Sequence, residues 1–132
     1  MTRDAAIAKI EDTLGARLPS DYRRFLLDNH ESMLEPSRQF PVDGTPAFGP
    51  TGLVDLLHTA DEIVDSECLG DHEEKMLIIG ADLFGGYVYL CYAPERFGRV
   101  FFRKPFEDAT FYQAGASFED FWSKTRPVSD DD

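Results

Sequence analysis

The sequence predicts a single α+β domain: a mainly antiparallel sheet with N-terminal helices and a short C-terminal helix packed against it. Three observations predict it. The first thirty residues carry apolar side chains at helical spacing, three strand-like runs lie between Met76 and Arg103, and a capped aromatic segment closes the chain. At 132 residues the chain can bury one core without disulfides or a structural metal. With 42% hydrophobic residues, eleven of the side chains being Phe, it lies far from the apolar-poor composition of disordered proteins.

The first helix is marked by Thr2 as a cap, by Ile7, Ile10 and Leu14 at three- and four-residue steps, and by Gly15, a residue suited to the left-handed turn that ends a helix. Leu18-Pro19 is expected to be extended, because a residue before proline is pushed out of the α region, and Pro19 then suits the first turn of a second helix. Tyr22, Phe25, Leu26 and Asn29 form the buried side of that helix. Arg23, Arg24 and Asp28 fall elsewhere around it.

From Glu35 to Gly52, four prolines and three glycines predict irregular chain or short edge strands. The segment from Leu53 to about Glu67 places Leu53, Leu56, Leu57, Ala60, Ile63 and Val64 in one arc at 100° per residue, which predicts a third helix. Asp55, His58, Asp61, Glu62 and Asp65 fill its polar arc. "MLIIGA", "GYVYLCY" and "RVFFR" are rich in β-branched and aromatic residues and suit an antiparallel meander, to which "ATFYQAG" adds a fourth strand. In "SFEDFWSKT", Ser117 caps a last helix with Phe118, Phe121 and Trp122 facing inward. The domain is expected over residues 1–126, with residues 127–132 an acidic disordered tail.

Charge is unevenly distributed. Between Asp61 and Asp82 stand eight acids, Asp61, Glu62, Asp65, Glu67, Asp71, Glu73, Glu74 and Asp82, against Lys75 alone, within a chain of net charge −12. Such a stretch is either a solvated face or a docking face. A pI near 4.5 opposes binding to nucleic acid or anionic membrane and permits a basic protein partner. The N-terminus has no apolar run fit for a signal peptide and no stretch approaches a membrane span, so a cytoplasmic location is expected. Cys68 and Cys91 form no Cys-x-x-Cys pair and read as reduced thiols.

Catalytic and cofactor chemistry finds little support. His58 and Glu62 converge one turn apart on the expected helix, but without a second motif they define no specific metal site. His30 and His72 stand in loops away from any Ser or Cys motif, and "ADLFGGYVYL" matches neither a dinucleotide fingerprint nor a P-loop. Glu73 and Glu74 could serve glycosidic chemistry only within a cleft that raises one pKa. Arg96, Arg99, Arg103 and Lys104 interleave with Phe97, Phe101 and Phe102, a pattern shared by single-strand binders and by half-buried strands. No catalytic residue, metal ligand or cofactor is assigned.

Several segments resemble the SUKH superfamily (SMI/KNR-like). "LGARLPSDYRRFLLDN" is similar to its N-terminal pattern of helix, Leu-Pro corner and second helix, carried by Leu14-Gly15, Leu18-Pro19, Asp21-Tyr22 and Phe25-Leu26. "IIGADLFGGYVYL", with Ile79-Gly80, Asp82 and Gly85-Gly86, resembles the family's strand and turn, and "GRVFF" and "SFEDFW" its later strand and last helix. Many relatives place an Asn-Gly type turn where Asn29-His30-Glu31 stands here, so the following loop is expected to be rebuilt.

The resemblance implies an α+β domain without catalytic residues, and a protein that neutralises a toxin, often a nuclease, by binding it. On that reading Asp61, Glu62, Asp65, Asp71, Glu73, Glu74 and Asp82 form an acidic surface toward a basic cognate toxin. Phe84, Tyr87, Tyr89 and Tyr92 are candidate anchors or core residues. The alternative is a regulatory interaction module with endogenous partners, and a carboxylate hydrolase stands third. Oligomeric state is left open.

Overall fold

The computed structural model describes residues 2–29, 31–44, 46, 49–104 and 110–128. Helix α1 (Arg3–Leu14) begins and ends where expected: the Thr2 side chain accepts from Ala5 N–H at 3.1 Å, and Gly15, at φ 67°, donates to Glu11 O. Ala6, Ile7 and Ile10 are its buried residues. Helix α2 (Ser20–Asp28) starts one residue later than expected. Pro19 is its extended cap, and its carbonyl accepts from Arg23 N–H at 2.9 Å.

The proline-rich segment departs from expectation. It contains a nine-residue strand, β1 (Met33–Pro41), paired on both sides rather than lying at an edge. Its pairing register shifts between Met33 and Arg38, and Pro36 lies within that interval. An interrupted ladder accommodates a residue that has no N–H to donate.

The helix expected from Leu53 is also corrected. Thr51–Leu57 is strand β2, paired with β1, and only Ala60–Asp65 is helical, as α3. Arcs of apolar residues in short segments are ambiguous between helix and strand, and here a place inside the sheet outweighs the helical period. A local signal did mark the true start. Thr59 and Glu62 form a reciprocal capping box, the T-x-x-E pattern of a helix N-terminus.

Three strands continue the sheet: β3 (Gly70–Asp71), β4 (Met76–Ala81) and β5 (Tyr87–Cys91). They are followed by β6 (Val100–Arg103), β7 (Tyr112–Gly115), helix α4 (Phe118–Lys124) and β8 (Arg126–Pro127). All pairings are antiparallel, in the order β7-β6-β5-β4-β2-β1-β8, with β3 also on β4. The expected meander β4-β5-β6-β7 is present.

Strands β2 and β3 lie along the same edge of β4. Leu57 faces Gly80, His58 N–H donates to Ile79 O, Ile78 N–H donates to Leu69 O, and Gly70 faces Leu77. Helix α3 is therefore an excursion from one interrupted strand line. Glu67 and Cys68, at φ 60° and 55°, turn the chain back into that line.

The four helices contribute to one core with Phe40, Val54, Leu57, Leu77, Ile79, Val88, Leu90, Val100 and Phe102 of the sheet. A smaller cluster of Met76, Tyr89, Cys91, Ala93 and Phe101 forms a second buried group, with Phe111 packed against it. Alternation along the strands produces the division: Phe101 belongs to one cluster and Phe102 to the other. Among the described residues no helix is long and apolar enough to cross a membrane. Pro127 pairs with Arg38 and Val128 N–H donates to Ser37 O, while Ser129–Asp132 of the expected tail lie outside the described residues, as does His30.

Candidate functional site

The acidic stretch is divided by the α3 excursion. Asp61, Glu62 and Asp65 are exposed on α3, and Glu73 and Glu74 on the turn between β3 and β4, with Asp71 half-buried beside them. Glu62 is partly committed, because its carboxylate accepts from Thr59 N–H at 2.8 Å within the capping box. Asp71 accepts from Glu74 N–H at 3.1 Å and lies 3.9 Å from Arg103, while Glu74 lies 3.4 Å from Arg96. Two of the interleaved arginines thus offset part of the acidic turn. Asp61, Asp65 and Glu73 enter no ion pair among the described residues.

Asp82 does not join this surface. It is 6% exposed, and its Oδ1 accepts from Phe84 N–H at 2.7 Å and Gly86 N–H at 2.8 Å. Asp55, expected on a polar helix arc, is also buried; it accepts from Ser37 Oγ and from Leu83 N–H. Together these carboxylates hold the β4–β5 turn. The Gly86 position is correspondingly tight, since a Cβ there would meet Asp82 Oδ2 at 2.5 Å and the Phe102 ring at 2.7 Å.

The candidate anchors separate by burial. Phe84 is 73% exposed and Tyr87 37%, whereas Tyr89 and Tyr92 are core residues whose phenols burial pushes above their ordinary pKa. His58 is half-buried, and burial lowers its pKa against the opposing influence of Glu62. His72 Nδ1 lies 2.9 Å from Tyr92 OH. Both cysteines are buried free thiols. Among the described residues, no group of three or more His, Cys, Asp or Glu side chains is placed to hold a metal ion.

One cleft was not anticipated. Of about 430 Å³, it opens between α2 and α4 and is lined by Asp21, Arg24, Phe25, Asp28, Asn29, Phe118, Glu119 and Trp122. Phe25 stacks on Phe118 with centroids 4.7 Å apart, and Trp122 follows at 5.9 Å from Phe25, with interplanar angles of 27° and 31°. Asp21 closes the contact between the helices by accepting from Glu119 N–H at 2.9 Å. Trp122, expected to face inward, is 37% exposed here, and the Arg38 guanidinium lies 4.6 Å from its ring centroid. The cleft's halves are about ninety residues apart, so no local pattern joins them. Their short aromatic segments were legible separately, as helix faces.

The architecture defines a class: a small α+β domain whose helices cover a curled antiparallel sheet and whose carboxylates serve turns, caps and surface. The model of the SMI1 / KNR4 family (SUKH-1) matches residues 1–124, and the chain belongs to that family. Family members are generally non-catalytic, of immunity or regulatory type. No curated protein and no solved structure matches the chain.

Proposed function

We propose that this protein is a non-enzymatic immunity protein, which binds and neutralises a cognate bacterial toxin in the cytoplasm of the cell that makes it. What supports the reading is membership of a family that includes immunity proteins, together with the exposed Asp61, Asp65 and Glu73, which enter no ion pair among the described residues, in a chain of net charge −12. A nuclease toxin holds a polyanion and so presents a basic active site. An acidic inhibitor approaches such a site faster than a neutral one and covers it once docked.

Asp61, Glu62, Asp65, Asp71, Glu73 and Glu74 are the steering acids, with Asp71 and Glu74 weakened by their arginine partners. Exposed Phe84 and Tyr87 are the apolar candidates for holding the complex.

Co-expression with the product of the open reading frame adjacent to its gene tests the reading through survival and co-purification. A product that kills alone, and is both bound and silenced by this protein, supports it. A harmless and unbound product overturns it in favour of a regulatory interaction module.

A further inference from the structure

We infer that the α2–α4 cleft is a receptor for an arginine side chain of the partner protein. The inference deepens the proposed function and rests on its premise of a protein partner. Phe25 and Trp122 line the cleft above the buried Phe118, and among the described residues lining it three carboxylates, Asp21, Asp28 and Glu119, stand against the base Arg24, with Arg38 beside Trp122. Ring faces carry negative electrostatic potential, and carboxylates beside them make the opening cation-selective.

A guanidinium suits this arrangement better than an ammonium. It is planar, lies flat against an aromatic ring and still presents edge N–H groups to carboxylates. The chain itself contains such a contact, since the Arg38 guanidinium lies 4.6 Å from the Trp122 centroid. The volume of 430 Å³ leaves room for the partner's backbone beside the side chain and falls within the range of ordinary ligand sites. Arginine is also among the residues that most often anchor protein interfaces from a central pocket.

The cleft contains its own reporter, because Trp122 is the chain's single tryptophan. Titrating the intact protein with N-acetyl-arginine amide, while following Trp122 fluorescence and its indole N–H resonance, should give a saturable response with Kd on the order of 1 to 10 mM. N-acetyl-citrulline amide, neutral and nearly isosteric, should bind at least about tenfold more weakly, as should the arginine probe to a Asp28→Asn/Glu119→Gln variant. Both substitutions fall on exposed side chains and leave the Asp21 tie intact. An unsaturable response, equal binding of citrulline, or full binding by the variant overturns the inference.

The titration uses no toxin. Saturable arginine binding with failed co-expression keeps the cleft and removes the toxin, whereas a rescued cell with a silent titration keeps the toxin and removes the cleft.

Discussion

The carboxylate of Asp21 accepts a hydrogen bond from the backbone N–H of Glu119 at 2.9 Å, tying the first turn of α2 to the first turn of α4 across 98 residues. This tie sets the mouth of the aromatic cleft. Replacing Asp21 by Ala should cost about 0.5 to 1.5 kcal/mol, because the exposed Glu119 N–H then turns to water. Urea denaturation measures it, and an unchanged midpoint would remove the tie from the account of the fold.

Two phenylalanines should respond differently to truncation. Phe121 is fully buried and meets Phe40 edge-on at 5.0 Å, so Phe121→Ala should cost about 3 to 5 kcal/mol. Phe25 is only partly buried at the cleft, so Phe25→Ala should lose about 1.5 to 2.5 kcal/mol. Equal losses in parallel denaturation curves would contradict the open cleft.

Gly86→Ala places a methyl against Asp82 Oδ2 and the Phe102 ring, which requires the β4–β5 turn or the core to shift. A loss of about 1 to 3 kcal/mol is expected from such overpacking. A variant as stable as the parent in thermal and urea melts would mean that the turn yields freely.

Glu11 carries a pH dependence. Burial acts to raise its pKa, but hydrogen bonds from Leu18 N–H and Arg23, both at 2.8 Å, outweigh it and hold the group below its ordinary value. A depressed folded-state pKa contributes stability above the unfolded pKa, and that contribution is lost as pH falls through the folded value. Glu11→Gln should therefore flatten the decline in stability on acidification below about pH 4.3. Parallel acid limbs for variant and parent in pH-resolved urea melts would exclude the contribution.

Reversing charge at Asp61, Asp65 and Glu73 should slow association with a basic partner while leaving the melting temperature nearly unchanged, since these exposed groups make no ion pair among the described residues. Added salt should slow the parent more than the variant. Stopped-flow rates that match at every ionic strength would end the steering argument.

Features with local causes were legible in the sequence. Thr2, Gly15 and Ser117 act within one helical turn of their own positions, and the runs that became β4, β5 and β6 carry their own β-branched and aromatic pattern. The same locality explains the failures. Leu53–Leu57 has a helical arc, but its pairing partners lie in β1 and β4, so nothing within the segment chose strand. Asp82 looked like one more acid in a row, and only folding placed it inside the turn that its carboxylate holds.

The sequence by itself determined the family, the α+β class, the helix caps and the net acidity, because each depends on residues close together in the chain or on their sum. Tertiary structure decided which acids face water, which tyrosines are core, and that Asp21 and Phe25 meet Glu119 and Trp122 at one cleft. Those outcomes depend on contacts between distant segments, whose geometry arises only when the helices pack on the sheet.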